Sequence, residues 1–347
     1  ATFTGALVQD TLYLDLGASR SQSVVDPDSV IPPEGLPGFG NVGDRDSYYY
    51  SPRFEKTFGR SVSVNANYRY EVVNFDESDF GDTQSVQNNV NESARFEIQN
   101  YKREQGLTWA ARYEWNETDY DLSLPWEYQK ASAELGFWAN GNTRFFASGG
   151  QESAWDDPVD RSLQDPFWEA GFAYRNGERL DAEFAAGERS FGSSWRGRLN
   201  FNFRRGNLSL DYAETPTTVG QDRYARSMLD ETNEPNDLLA RPGSSERYIL
   251  NRGQAALNFE FRRTSLGFIV YDEERTGRFS DEGEPLGDDS QNGVTMTFSW
   301  QLGARTEVAA SGSMNSRESE NGGKQDFISG NLSASYQLGS SLGLSLA

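Results

Sequence analysis

Apolar and polar residues alternate one by one along nearly the whole chain. In 199–204, Leu199, Phe201 and Phe203 hold one parity and Asn200, Asn202 and Arg204 the other. Successive side chains of a strand leave opposite sides, so one face is apolar and the other polar. Val62, Val64, Ala66, Tyr68 and Tyr70 repeat the pattern against Ser63, Asn65, Asn67, Arg69 and Glu71. Leu107, Trp109, Ala111, Tyr113 and Trp115 do so against Thr108, Ala110, Arg112, Glu114 and Asn116.

The pattern predicts strands over 10–22, 46–57, 61–74, 92–103, 107–118, 128–138, 143–150, 167–175, 178–189, 194–205, 208–214, 247–263, 265–275, 291–302, 305–315, 326–338 and 342–347. A soluble strand averages ~5–6 residues, whereas one tilted across a bilayer needs ~9–11. Most of these segments are of the longer kind. The connections alternate between tight turns, such as Phe58-Gly59-Arg60, Asn140-Gly141-Asn142 and Asn176-Gly177, and longer loops beginning at 24, 75, 151, 215, 276 and 316. Asn and Gly tolerate the positive φ of hairpin turns. Tight turns on one end and long loops on the other predict an all-β, antiparallel up-and-down transmembrane β-barrel of about 16–18 or more strands, with periplasmic turns and extracellular loops. A soluble sandwich would show the same period with polarity reversed, but it has no reason to sort connection length by end.

Composition narrows the choice. The 347 residues show no linker-like break and read as one domain. Mean hydropathy is −0.73 and no run approaches ~18 apolar residues, which excludes a helical span but leaves a barrel open. Aromatic residues reach 13%, and Tyr48, Tyr49, Tyr50, Phe58, Trp115, Trp138, Phe167, Trp168, Trp195 and Trp300 sit near segment ends, as interfacial girdles do. Ala1 opens on TFTGALV without signal-peptide character. Seventeen segments are an odd number and Ala347 is not aromatic, so either residues 1–9 add a strand or strands lie beyond the ends.

Cys and His are both absent, which removes disulfides, thiolate metal sites and the usual general base. No enzyme, metal site or cofactor is expected. A net charge of −21 disfavours nucleic acid and suits a cell-surface coat.

The polar face carries Arg69, Glu71, Arg95, Glu97, Arg112, Glu114, Glu134, Glu169, Asp181, Glu183, Arg196, Arg198, Arg204, Asp211, Glu260, Arg262 and Glu307. These either line an aqueous pore and set its selectivity, or pair across strands and stiffen the wall. Asp181 and Glu183 stand roughly 7 Å apart along one face, a spacing that an acidic chain produces by chance. Paired loop acids (Asp26 and Asp28, Asp44 and Asp46, Asp119 and Asp121, Asp156 and Asp157, Asp288 and Asp289) could bridge to lipid headgroups through divalent ions, or simply solvate the surface; no EF-hand spacing is present. Trp126, Trp138, Trp155 and Trp168 suit either sugar stacking or interfacial anchoring.

DTLYLDLGASRSQS at 10–23, SPRFEKTFG at 51–59, GGQES at 149–153, DPFWEAGFAYR at 165–175 and GERSFGSSWRGRLNFNFRR at 187–205 resemble the outer-membrane β-barrel proteins of PEP-CTERM/exosortase systems. The resemblance covers most of the chain, best over 10–215. It implies a Gram-negative outer-membrane barrel tied to exopolysaccharide export, with lipid, lipopolysaccharide and polysaccharide as partners, and it supplies no catalytic residues. Such proteins usually carry further strands at both ends, which this chain lacks. Two functions from different classes follow: a passage for exopolysaccharide or other polar solutes, or a structural or interaction barrel, plugged or partnered, whose acidic loops dock onto other components of a secretion, export or surface assembly. An inward-folded loop at 215–245 with Arg223, Arg226 and Pro235 would favour the second version by closing the lumen. A soluble carbohydrate-binding protein is the third reading, disfavoured by the sorted connections.

Overall fold

The computed structural model describes residues 2–24, 42–59, 61–75, 87–100, 106–153, 163–222, 244–280, 284–303, 305–319, 323–337 and 343–346. They form one eighteen-stranded sheet. The strands are β1 (Thr2–Val8), β2 (Leu12–Val24), β3 (Val42–Phe58), β4 (Val62–Phe75), β5 (Asn89–Gln99), β6 (Gly106–Tyr120), β7 (Trp126–Trp138), β8 (Thr143–Ser153) and β9 (Leu163–Asn176). They continue as β10 (Leu180–Arg189), β11 (Gly192–Phe203), β12 (Gly206–Thr218), β13 (Arg247–Glu260), β14 (Thr264–Phe279), β15 (Asp289–Gln301), β16 (Thr306–Ser319), β17 (Gly323–Gln337) and β18 (Gly343–Leu346). Each strand pairs antiparallel with the next in sequence, from β1 with β2 to β17 with β18. Residues 2–8 thus supply the strand that makes the count even.

The sheet curls until distant strands meet across its interior. Tyr120 at the end of β6 donates its hydroxyl proton to Thr218 Oγ1 at the end of β12, 3.1 Å away, although the two strands lie six positions apart. Side-chain direction then decides the setting. Phe96, Leu107, Leu135, Phe145, Phe172, Phe184, Val270, Met314, Ile328 and Leu332 are exposed on the outer face, while Glu71, Asn91, Thr118, Glu134, Glu152, Glu273 and Gln291 are buried on the inner one. Ile328 is 77% exposed and Glu273 is 0%. A soluble sandwich would reverse this order; an apolar exterior around a polar interior is that of a transmembrane barrel.

Outward rings gather where an aromatic girdle requires them. Tyr50 stacks on Tyr70 with centroids 5.3 Å apart, Phe184 lies 5.8 Å from Trp195, and near the opposite end Phe203 meets Phe259 edge-on at 5.5 Å. Three residues expected in that girdle face inward instead, among them Trp138, which stands in register with the inward Arg144. Tyr49 shares the parity of Ser47 and Ser51, and Phe167 that of Glu169. Tyr49 presses on Gly17 so closely that a Cβ there would stand 2.1 Å from its ring. The inner wall accepts a ring where the neighbouring strand offers a glycine.

Connection length sorts less strictly than the sequence suggests. Turns between odd and following even strands are short, and Asn140 Oδ1 secures one of them by accepting from the amides of Asn142 and Thr143, each at 2.8 Å. On the loop end, however, only Ser190 and Phe191 separate β10 from β11, and only 320–322 separate β16 from β17. The second pair departs because β16 and β17 continue their ladder out to Ser319 and Gly323, taking up residues expected in a loop. The loops at 25–41, 76–86, 154–162 and 223–243 lie wholly or largely outside the described residues, with Arg223, Arg226, Pro235 and Trp155 among them.

The face assignment yields a ranking. Val270→Arg, on the outer face well inside β14, should destabilise the barrel in lipid by ~2–4 kcal/mol, and Asn200→Arg on the inner face should cost far less. Urea unfolding in liposomes measures both, and an inverted ranking would mean the faces are reversed.

Candidate functional site: a charged lumen wall

Inward charges from β5 to β11 meet because antiparallel register places them side by side. Glu97 on β5 binds Arg112 on β6 at 2.7 Å, Arg112 binds Glu134 on β7 at 3.0 Å, and Glu134 binds Arg144 on β8 at 3.0 Å. Beyond this chain the ring of Phe146 lies under two guanidiniums, Arg144 at 4.9 Å and Arg196 at 5.5 Å from its centroid. That ring sits where β9 offers Gly171, at which a Cβ would stand 2.7 Å from Phe146 Cζ. Arg196 on β11 then reaches Glu169 on β9 at 3.5 Å and forms a close ion pair with Glu183 on β10. Arg95 and Glu114 pair at 3.5 Å in a more open position.

A second group ties four strands together. Arg189 on β10 binds Glu152 on β8 at 2.8 Å, the Tyr128 hydroxyl on β7 at 2.6 Å, and the carbonyl of Glu214 on β12 at 3.2 Å. Glu152 also accepts from the Tyr128 hydroxyl at 2.6 Å and from the Ser190 amide at 2.7 Å, so its two oxygens are fully engaged. The amide of Ser190 explains why a two-residue connection suffices between β10 and β11: the carboxylate caps it from within.

The charged residues of the first group, with Arg189 and Glu214 of the second, border a cavity of about 390 Å³ on the lumen side of β5–β12. Arg95, Arg112, Lys130, Arg144, Arg189 and Arg196 face Glu97, Glu114, Glu134, Glu169 and Glu183 there, so positive and negative charge nearly cancel. A neighbouring cavity of about 660 Å³ along β10–β13 is bordered by Arg198, Asn207, Ser209, Asp211, Arg252, Gln254 and Asn258. Arg198 stands in register with Glu183 on one side and Asp211 on the other. The excess of acid that the composition reports lies elsewhere than in this wall.

Most expected lumen residues fall where the alternation places them. Arg69 is stacked 3.6 Å over the Tyr49 ring and bonded to Glu71 at 3.3 Å. Asp181 pairs with Arg175 at 2.8 Å rather than with Glu183, so the two carboxylates expected as neighbours each have their own guanidinium. Three positions differ. Arg204 lies in the two-residue turn that closes when Phe203 pairs with Gly206, Arg262 lies in the turn after Glu260, and Glu260 itself is exposed at the rim. Glu307, in register with Gln301 and Ser335, is also at that rim. Among the described loop acids, Asp44 is engaged by Arg20, Asp121 by the Asn88 amide at 3.0 Å and Asp289 by Arg278 at 2.7 Å, while Asp26, Asp28, Asp156 and Asp157 lie outside the described residues. Among the described residues no group of acidic side chains could hold a metal ion. Trp126 points inward and stacks on Tyr128 at 6.0 Å, whereas Trp168 is exposed on the outer face.

Arg144, Glu152, Arg189, Glu273 and Arg275 belong to the inner face and were not singled out by sequence. Their parity is correct, but Phe146 and Tyr271 share it, and those inward rings blur the contrast on which alternation relies.

No protein-family model matches the chain, and no curated protein does. A ferric enterobactin receptor mutant from Pseudomonas aeruginosa aligns at a TM-score of 0.48 and 9% identity, covering 99% of this chain and 70% of that one. A copper transporter aligns at 0.43 and 10%, covering 95% and 61%, and a porin at 0.36 and 10%, covering 92% and 99%. Scores this low carry no argument about this chain.

Burial separates the ion pairs by worth. Glu152→Ala should cost about 3 kcal/mol, because it strands the Arg189 guanidinium in a buried place, whereas Arg95→Ala should cost within about 1 kcal/mol. Equal losses in chemical unfolding would show that Arg189 finds water or another partner.

Proposed function

We propose that the protein is an outer-membrane channel whose water-filled, charge-balanced lumen lets polar solutes cross the bilayer. The observation that carries this reading is the pairing of an apolar exterior with a cavity-bearing interior of ionised residues on β5–β13. Water is the only medium in which so many charges sit comfortably, and a column of it through a bilayer is a conduit. Prevailing short turns at one end support an orientation with that end in the periplasm. Outer-membrane lipid and lipopolysaccharide are then its immediate surroundings.

Alternating charge of near-zero sum suits polar or zwitterionic solutes of either sign, since each permeant meets a partner within a few ångströms on the wall. Exopolysaccharide as the cargo rests on the sequence resemblance alone. A second reading, a barrel without transport of its own, is favoured by one observation: inward side chains near the loop end, such as Asn91, Thr118, Thr218, Glu273, Arg275 and Arg317, are almost wholly buried. Neither reading calls for chemistry on the solute.

Single-channel recording in planar bilayers tests the proposal. Reproducible steps support a passage; silence from protein shown to be folded and inserted supports the second reading. In a conducting barrel, Glu114→Gln with Glu183→Gln leaves Arg95 and Arg196 with fewer counter-charges, so reversal potentials in a salt gradient should move toward anion preference. An unchanged potential would mean that ions do not pass along this wall.

A further inference from the structure

After β12 the chain does not leave the barrel. Residues 219–222 form a helical turn inside it, and their contacts reach walls on two sides. Toward β6, Gln221 Nε2 donates to Thr118 Oγ1 at 2.9 Å and to the Glu117 carbonyl at 3.0 Å. Gly220 lies so close to that wall that a Cβ would stand 3.0 Å from the Tyr120 hydroxyl and 3.2 Å from both Asn91 Oδ1 and Thr118 Cγ2. Toward β13 and β14, Asp222 accepts from the Tyr248 hydroxyl at 3.2 Å and pairs with Arg275 at 3.5 Å. Val219 joins Tyr248 and Leu250 in a small apolar cluster that seats its near end.

Strands β6 and β14 lie eight positions apart in a sheet of eighteen, so a segment touching both crosses the lumen rather than following its wall. Burial of the inner face agrees. Along β14, Ser265 is exposed, while Tyr271, Glu273 and Arg275 are 2%, 0% and 1% exposed. Along β16, Ser311 is exposed and Arg317 is buried; along β12, Asp211 is exposed and Thr217, of the same parity, is buried. The interior is therefore open toward the turn end and filled toward the loop end.

We propose that Thr218–Asp222 is a strap across the extracellular mouth, held by Gln221 on one wall and Asp222 on the other, and that it limits what passes to small polar solutes. A polymer strand would have to displace the strap; a small solute would only have to skirt it. Each anchor is a polar group bonded in a nearly water-free place, so the strap holds its position until both are broken. This inference rests on the channel reading.

The test compares unit conductance, and the size of polyethylene glycol that still blocks current from the outer side, between wild-type protein and Gln221→Ala with Asp222→Ala. Releasing both anchors should raise conductance several-fold and admit larger polymers. A second pair, Thr118→Cys with Gly220→Cys, places two Cβ atoms within disulfide reach in a chain that has no other cysteine. Oxidised, this bond added to the released variant should return conductance to the wild-type level, and reductant should raise it again. Identical conductance and cutoff in wild-type and released protein, or a bond without effect, would overturn the strap. Silence from both, with circular dichroism confirming folded strands, would instead overturn the channel reading.

Discussion

Lipid offers no hydrogen bonds, and that lack governs this structure. Every backbone amide and carbonyl at membrane depth must be satisfied by the chain itself, which a ladder of antiparallel strands achieves over long uninterrupted registers. The same medium admits apolar side chains outward and excludes charged ones, so each strand has one face for lipid and one for the interior. The strict alternation is the imprint of that constraint on the residues.

What the interior does with its charges follows next. Facing inward, a charge has water and other inward charges for company. Antiparallel register sets carboxylates beside guanidiniums on adjacent strands, as from Glu97 through Arg112 and Glu134 to Arg144. A wall stiffened by ion pairs and a wall that presents both signs to a permeant are the same wall, because exposed edges of the pairs border the cavities. Where the pairs sink away from water, as at Glu152 and Arg189, they cease to be a lining and act as ties between strands.

Inward aromatic rings show how the wall remains thin. Tyr49 over Gly17 and Phe146 over Gly171 fill space that a side chain on the neighbouring strand would need, and each ring offers its face to arginine. This arrangement keeps large residues against the wall and leaves the lumen clear, until the strap at 218–222 enters it near the mouth. Burial on the inner face rises toward that end, so the barrel is an asymmetric vessel rather than a uniform tube.

Strand identity and the direction of most side chains were legible in the residues alone, because a period of two is local: Leu199 and Asn200 announce their faces without reference to any other strand. The barrel class followed from strand length and connection rhythm, and the first strand was visible only as a remainder needed for an even count. Partners were not legible. Which guanidinium Asp181 meets depends on register across β9 and β10, and Arg204 and Arg262 left the wall because β11 and β13 end at Phe203 and Glu260, two and three residues before the polarity pattern ends them. The sequence offered an inward-folded loop at 215–245, but the partners of its first turn were the least legible of all, since the contact between Gln221 and Thr118 spans more than a hundred residues of sequence. Alternation records which medium each side chain faces; only the curvature of the sheet decides which distant side chains share the interior.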